Sequence, residues 1–297
     1  MEELRLWLAD TVRQGLGQLE AQGEQAFERL AARMVDAKLG SIGRRVRNWK
    51  NLLKMADWQE QLLVEMGELF LAVSAFERSD TLSDELTMDL LQFAGLSLRK
   101  EEVLAGDPVE GPWGVAGVAE GEEENLRFRR TWLQNQRDGS FALLLDFAWG
   151  GQPFEHTWKA GMQYEGSLVY YPSAYPLRAL VVEFGKPDMA DPLFTGFQYL
   201  DELGGQFAQA LALQPWLQRF PAVLEQVLPV KNQEGGWSLM DENRQAIALS
   251  GPADIGWILL SVGGGRPLSI FGEWNGATFA PLACLSAGKW IVLSPAE

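Results

Sequence analysis

The chain has 297 residues, of which 47% are hydrophobic, with 12 Trp and 15 Phe; this excludes a disordered chain and leaves room for one large core or two ordinary ones. The net charge of −15 makes duplex nucleic acid a poor partner for the whole molecule, because phosphate binding needs a clustered positive surface. One Cys and one His exclude an internal disulfide and a self-contained zinc site built from these ligands.

No sequence signal directs the chain to a membrane. No window holds the roughly 18 consecutive apolar residues that a membrane-spanning helix needs. The N-terminus reads Met-Glu-Glu-Leu-Arg-Leu-Trp, which lacks the basic and apolar regions of a secretory signal peptide. We therefore expect a cytoplasmic protein.

Residues 1–105 are predicted to form a helical domain. Apolar residues at helical spacing first occur at Leu4, Leu8, Val12, Leu16 and Leu19. Further helices are predicted over residues 24–39, 42–53 and 58–76. Gly40 and Gly43 are predicted to break the first of these helices. A last helix opens at Ser83, a residue type that caps helix N-termini.

One basic run lies in this domain, with no acidic residue between positions 37 and 56. Its cations are Lys38, Arg44, Arg45, Arg47, Lys50 and Lys54. The favoured interpretation is a helix face whose counter-charges lie on neighbouring helices, and the alternative is a contact surface for an anionic partner. Under the alternative, the candidate interaction residues are Arg44, Arg45, Arg47, Lys50 and Lys54, and an acidic protein surface is preferred to DNA as their partner.

Residues 106–125 are rich in Gly and Pro, which predicts a linker or surface loop. A β-rich domain is predicted over residues 126–297, with strands at 126–136, 141–147, 163–171 and 177–184. Helices near residues 195–228 interrupt it, the second starting at Phe220. Short strands follow at 237–240, 246–249, 256–262, 267–274, 278–285 and 290–293, with a hairpin turn at Asn275-Gly276.

The predicted fold class is therefore α+β: an N-terminal helical bundle followed by a mainly antiparallel β region that two helices interrupt. The stretch Tyr171-Pro-Ser-Ala-Tyr-Pro-Leu-Arg178 forms a double-proline corner between two strands. We expect Tyr175 and Arg178 to be partly buried there, with Arg178 paired to a carboxylate or to backbone carbonyls. Both are also candidate interaction residues.

The sequence contains no recognisable catalytic motif. His156 lies in a polar stretch and Cys284 in an apolar strand, which favours a surface His and a buried, inert Cys. Carboxylates in or beside predicted strands could meet as an acid–base pair: Asp146, Glu165, Glu183 and Glu273. Five tryptophans lie at predicted ends or loops, where packing is favoured over an aromatic binding surface: Trp7, Trp113, Trp149, Trp158 and Trp216.

Five segments together resemble the long C-terminal region of bacterial SWIM zinc-finger family proteins. They are Arg33-Met-Val-Asp-Ala37, Arg129-Arg-Thr-Trp-Leu133, Tyr171-Pro-Ser-Ala-Tyr-Pro-Leu-Arg-Ala-Leu180, Trp216-Leu-Gln-Arg-Phe-Pro221 and Phe271-Gly-Glu-Trp-Asn-Gly276. The Cys-x-Cys and Cys-x-His pairs of the SWIM motif are missing, so the resemblance carries over no metal ligand. It implies a protein partner, such as a zinc-finger-bearing protein or a MoxR-type or von Willebrand factor A-type protein.

We therefore expect a non-enzymatic scaffold or protein-interaction module that uses no cofactor and no metal. Two alternatives stay open. One is a nucleic-acid-associated protein acting through the basic helix at residues 38–54, and the other is an enzyme that depends on the strand carboxylates.

Overall fold

The computed structural model describes residues 1–96, 98–123, 125–188, 193–232 and 235–293. The chain divides into two compact units. The first contains Met1–Leu98 and Pro172–Ala174, and the second contains Arg99–Tyr171 and Tyr175–Glu297. Helices dominate the first unit and antiparallel strands the second, so the predicted α+β class is confirmed.

The helices of the first unit pack around one core. They are α1 (Glu2–Gln14), α2 (Leu19–Asp36), α3 (Gly40–Leu52), α4 (Trp58–Phe76) and α5 (Asp84–Ala94). Trp49 on α3 is fully buried and packs edge-on against Phe27 of α2. The bounds of α4 are those predicted, and Ser83 caps α5 because its Oγ accepts a hydrogen bond from the Leu86 N–H at 3.2 Å.

The glycines of the first unit have other roles than predicted. Gly15 adopts φ +86 and ends α1, so Leu16 and Leu19 lie outside it and α2 begins earlier than predicted. Gly40 begins α3 and Gly43 lies within it. A Cβ on Gly43 would lie 2.8 Å from the Val35 side chain of α2, so this glycine allows close helix packing and breaks nothing.

The second unit opens with the short helix α6 (Lys100–Leu104) and a five-stranded sheet. Its strands are β1 (Val109–Glu123), β2 (Leu126–Asn135), β3 (Phe141–Trp149), β4 (Gln163–Tyr170) and β5 (Ala179–Phe184). The spatial order is β3-β2-β1-β4-β5. An isolated parallel bridge between Leu143 and Arg178 joins the two outer strands at one end, so the sheet curls into a partly open barrel around Trp113, Val115 and Leu144.

A second barrel follows along the chain. It contains α7 (Leu200–Leu213), β6 (Phe220–Lys231), β7 (Trp237–Met240), β8 (Ala246–Leu249), α8 (Ile255–Gly263), β9 (Leu268–Trp274), β10 (Thr278–Ser286) and β11 (Lys289–Val292). The order β10-β8-β7-β6-β9, with β9 pairing back onto β10, closes a ring of five strands. Strands β8 and β10 are parallel, and the other neighbours in the ring are antiparallel.

Both barrels have one topology. The first strand of each pairs through its N-terminal half with the fourth strand and through its C-terminal half with the second, and each is bulged near its middle. In each barrel the third strand runs parallel to the fifth where they meet. A five-stranded barrel in this order, with a helix between the third and fourth strands, is the arrangement of the OB-fold. The second barrel has that helix, α8, and the first has irregular chain there.

The predicted linker at residues 106–125 is wrong, because it contains β1, the central strand of the first barrel. Its glycines lie where neighbours press on the strand. A Cβ would meet the Phe271 ring at Gly117 and the Phe128 ring at Gly121. Glycine in a strand interior marks such close approaches, and the same residues suggest a loop when only the sequence is read.

Two further predictions assign the wrong type of secondary structure. The helix predicted from Phe220 is strand β6, and the strand predicted over residues 256–262 is helix α8. Both segments are short apolar runs, for which periodicity does not separate buried strand from buried helix. The helix predicted from residue 195 begins only at Leu200. Strands β7 and β8 and the turn at Asn275-Gly276 lie where predicted, with Gly276 at φ +93.

Candidate binding cleft and apolar strand face

A charged cluster joins the two barrels of the second unit. The guanidinium of Arg130 on β2 binds Glu273 on β9 through two bonds, of 2.7 and 3.0 Å. The same carboxylate accepts the indole N–H of Trp132 at 2.8 Å, and Arg219, just before β6, approaches it at 3.2 Å. Glu273 is only 6% exposed, so its charge depends on these partners.

The cluster carries more positive than negative charge, because two guanidinium groups share one carboxylate. Burial and the neighbouring Arg130 lower the pKa of Arg219, while Glu273 opposes that shift. Arginine nevertheless stays protonated in proteins, so one positive charge remains uncompensated within the cluster. The Arg219 side chain is 48% exposed and can therefore reach a ligand.

The cluster lines an open cleft of about 300 Å³. Its other lining residues are neutral: Gln218, Ser250, Trp274, Asn275, Thr278 and Ala280. The indole N–H of Trp274 has no hydrogen-bond partner among the described residues. Because guanidinium forks and N–H donors suit carboxylate and phosphate oxygens, the chemistry of this cleft favours an anionic group.

An apolar surface continues from Arg130 along the same face of the first barrel. Residues paired across β2 and β3 share a face, and the register places Leu145 beside Arg130, Phe147 beside Phe128, and Trp149 beside Leu126. Phe147 is 56% exposed and Trp149 is 65% exposed. We call Phe128, Leu145, Phe147 and Trp149 the β3 face. At about 7 Å per two residues, it extends about 14 Å from the cleft.

Strand β3 also presents an open edge. The Leu143 N–H donates to the Leu177 carbonyl at 2.7 Å, on the side of β3 away from β2. Backbone groups alternate sides along a strand, so Leu145 and Phe147 direct theirs to that same side. Beyond Leu143, β3 pairs only with β2 among the described residues. Residues 145–149 include no Pro and no Lys, and their one charged residue, Asp146, is paired with Arg129, so the edge lacks two of the usual protections.

The equivalent face of the second barrel is different. The outward side chains of β7 and β8 are Ser238, Met240, Ala246 and Ala248. They include no aromatic ring and no charge, so they provide neither stacking surfaces nor phosphate contacts. The cleft and the β3 face are therefore the stronger candidate site.

Ion pairs already engage two members of the predicted basic run. Arg45, on α3, binds Glu65 of α4 at 2.6 Å and also Glu68 of α4. Arg47, also on α3, binds Glu28 of α2 at 3.0 Å. For these two cations the counter-charges thus lie on neighbouring helices. Arg44 and Lys54 are exposed and Lys50 is half-buried. An interaction role for the run stays a prediction.

The double-proline corner places Tyr175 and Arg178 as half-buried residues. The Tyr175 ring lies 6.2 Å from that of Phe220. We expected Arg178 to pair with a carboxylate or with backbone carbonyls, and among the described residues this prediction is wrong. Its guanidinium instead lies 4.1 Å from the centre of the Tyr171 ring. A cation–π contact satisfies a partly exposed guanidinium without a carboxylate. Their interaction role also stays a prediction.

The four strand carboxylates do not meet in one pocket. Arg129 binds Asp146 at 2.8 Å and Arg130 binds Glu273, and consecutive residues of β2 point to opposite faces. Glu165 and Glu183 are exposed. The described residues hold no cluster of three or more metal-ligating side chains, and none of their helices is long and apolar enough to span a membrane.

The single His and Cys and the tryptophans are placed as follows. His156 is exposed and stacks on Trp158. Cys284 is buried, and burial raises the pKa of its thiol to about 11. Among the five tryptophans singled out in the sequence, Trp149 is exposed and Trp113 fully buried. Trp257 on α8 is also exposed, and it is not among the tryptophans predicted to lie at ends or loops.

The family comparison concerns the first unit. Residues 1–94 match the family model of the SWIM-associated four-helix bundle domain, so the helical unit is similar to that domain. The resemblance to SWIM-family proteins is thereby confirmed for the helical unit, and the sequence contains no Cys-x-Cys and no Cys-x-His pair. No curated protein matches the chain, and no solved structure does.

Three of the five segments that carry the resemblance meet at the cleft. They supply Arg130 and Trp132, Gln218 and Arg219, and Glu273, Trp274 and Asn275. Sequence reasoning weighed only Glu273 among these, as a carboxylate. The two arginines were missed because Arg130 and Glu273 lie 143 positions apart, and no local pattern reports such a pairing. Their presence in Trp-rich segments was the available signal.

Proposed function

We propose that this protein is a non-enzymatic interaction module, and that its cleft and β3 face together bind an extended acidic segment of a partner protein. The observation that carries this proposal is the open, aromatic edge of β3 beside an arginine cleft with an uncompensated positive charge. An edge of this kind is normally covered, because unpaired backbone groups and exposed rings invite pairing with another chain.

Strand addition is the binding mode that suits this edge. An added strand would pair with the backbone groups of Leu145 and Phe147 that point away from β2, which have no partner among the described residues. Its apolar side chains would cover Phe147 and Trp149, and aromatic residues of this kind contribute strongly to interfaces. Because an aromatic side chain has only two rotatable bonds, covering these rings costs little side-chain entropy.

Charge selects an acidic segment over a basic one. The molecule carries −15 overall and repels an acidic segment at long range, so the attraction that favours such a segment is local and comes from the arginines of the cleft. Arg219 is the half-exposed member of the cluster and the residue best placed to take an incoming carboxylate. A bidentate guanidinium–carboxylate pair would fix the register of the bound segment.

The barrel topology also raises single-stranded nucleic acid as a ligand, because OB-folds bind oligonucleotides on this face. Such binding combines stacked aromatics with cations that follow several phosphates. Here the face offers the aromatics, but Arg130 and Arg219 are the only cations lining the described cleft, and Glu273 offsets one of them. We therefore favour a peptide over a nucleic acid.

A random peptide library displayed on phage tests this proposal against the purified protein. We expect the selected peptides to combine alternating apolar residues with at least one Asp or Glu. Their affinity should fall at least tenfold for Arg219→Gln and for Phe147→Thr with Trp149→Thr, while Arg266→Gln, which removes an exposed arginine outside the cleft, leaves it unchanged.

Peptides without acidic residues, or peptides that bind all variants equally, would contradict the proposal. The same variants should be titrated with oligo-dT, a single-stranded probe. Submicromolar oligo-dT binding that is lost with the aromatic variant would instead assign the face to nucleic acid.

A further inference from the structure

Helix α4 of the first unit is apolar on two opposite sides. One side packs into the core through Leu62, Met66, Leu69 and Val73. The other side is exposed and carries Leu63, Val64, Phe70 and Leu71, with Val64 61% and Phe70 42% exposed. A helix that is apolar all round is normally buried all round, so this second side lacks the cover that its composition predicts.

Gly67 lies at the centre of the exposed side. Glycine within a helix costs about 1 kcal/mol relative to alanine, and a Cβ there would meet nothing within 4 Å. Gly43, by contrast, allows α2 to pack closely. Packing within the described chain therefore does not account for Gly67, whereas the close approach of another helix would.

The exposed side is symmetric about this glycine. Leu63 and Val64 lie four and three positions before Gly67, and Phe70 and Leu71 lie three and four positions after it. A second α4 running antiparallel across Gly67 would set each pair against the opposite pair of its partner. An interface related by a two-fold axis needs this self-complementarity, because the same patch must fit itself.

The charges around the exposed side fit the same arrangement. Glu60 lies seven positions before Gly67, and Ser74 lies seven after it, with Arg78 two residues beyond the end of α4. An antiparallel copy therefore brings Glu60 of one chain toward Ser74 and Arg78 of the other, where unlike charges approach. Glu65 and Glu68, which flank the exposed side, are already paired with Arg45.

We propose that a second copy of this chain covers the exposed side of α4, with the two helices antiparallel and crossing at Gly67. The contact is apolar at its centre, and opposite charges meet at both of its ends. This assembly is independent of the peptide-binding role, because its residues lie in the other unit.

Sedimentation velocity over a concentration series tests the assembly in the full chain. We expect a monomer–dimer equilibrium whose dissociation constant rises at least tenfold for Val64→Glu and for Leu71→Glu. Val182→Glu introduces the same charge at a comparably exposed position of β5 and should leave the equilibrium unchanged. Gly67→Ala should weaken the dimer while raising the thermal stability of the monomer, since alanine favours the helix.

Crosslinking tests the register, in a Cys284→Ala background that has no other cysteine. In the proposed register, position 63 of one copy lies against position 71 of the other, so cysteines at these two positions come within the 4.4–6.8 Å that a disulfide spans. Leu63→Cys with Leu71→Cys should therefore form a disulfide between copies, whereas Leu63→Cys alone should not. A monomer at every soluble concentration, a dimer indifferent to Val64→Glu, or crosslinking by Leu63→Cys alone would each overturn the proposal.

Discussion

The two barrels of the second unit share a topology and differ in what their outer strands carry. In the first barrel, β2 and β3 expose Phe147 and Trp149 beside Arg130. In the second, the corresponding strands expose Ser238, Met240 and the alanines of β8. The third connection differs as well, being irregular chain in the first barrel and helix α8 in the second.

This difference teaches that strand order alone assigns no ligand. Function depends on the side chains placed on a fold, and only the first barrel bears rings and a cation on the face that OB-folds use for binding. The second barrel contributes instead at the junction, through Glu273 and the loop residues of the cleft. The first barrel thus supplies Arg130 and the β3 face, and the second supplies most of the cleft lining, including Arg219 and the Glu273 charge that orients Arg130.

The largest expected effect comes from breaking the junction between the barrels. Glu273→Gln keeps the shape of the side chain but leaves Arg130 and Arg219 without a counter-charge. Removing one partner of a buried ion pair costs about 3 kcal/mol or more, so we expect a loss of that order in the free energy of unfolding. Urea denaturation measures it, with the exposed Glu165→Gln as a control that should change little.

A double-mutant cycle then separates the pair from its surroundings. Arg130→Met combined with Glu273→Leu should be less destabilised than the sum of the single changes, because neither member of this pair is left without the other and the remaining charge, on Arg219, is half-exposed. If Glu273→Gln alone costs less than about 1 kcal/mol, the two barrels do not depend on this junction.

An intermediate effect on stability is expected for substitutions in the segments that connect the third and fourth strands of the two barrels. A Cβ at Gly256, in α8, would overlap the Trp237 ring, whereas a Cβ at Gly151, in the irregular connection of the first barrel, would meet nothing within 4 Å. Overpacking costs about 1–3 kcal/mol, so Gly256→Ala should destabilise by that amount. Gly151→Ala should be neutral or slightly stabilising, since alanine restricts the unfolded chain. Equal melting temperatures for the two variants would contradict this contrast.

The sequence predicts this fold well where local signals are strong. Helix α4 is found at its predicted bounds, and the Ser83 cap and the Asn275-Gly276 turn are found where residue types with a specific backbone role predict them. Strands β7 and β8 also match, because strong turn residues bound them on both sides.

The errors arise where tertiary contacts decide. The glycines of β1 read as a linker because the Phe128 and Phe271 rings that press on them lie elsewhere in the chain. Strand β6 and helix α8 were exchanged because their apolar runs are too short to show a period. The candidate cleft could not be predicted at all, since Arg130, Arg219 and Glu273 belong to three distant segments that only the barrel junction brings together.

The smallest expected effect compares the two barrel interiors through pH. Burial raises the pKa of Tyr170, on β4 of the first barrel, to about 12, and that of Cys284, on β10 of the second, to about 11. Their ordinary values are 10.0 and 9.0. In both cases folding favours the protonated form, so each group stabilises the fold below its ordinary pKa and loses that contribution as pH rises to the raised value.

The two pH ranges differ, so the contributions of the two barrels to stability can be measured separately. Urea denaturation at successive pH values should show stability falling between about pH 9 and 11 from Cys284 and between about pH 10 and 12 from Tyr170. Relative to the parent protein, Cys284→Ala should flatten the first window and Tyr170→Phe the second, although each variant also carries a constant offset, from a lost sulfur or from the lost hydrogen bond to the Phe141 carbonyl. Parallel pH profiles for the parent and both variants would contradict the raised pKa values of Cys284 and Tyr170.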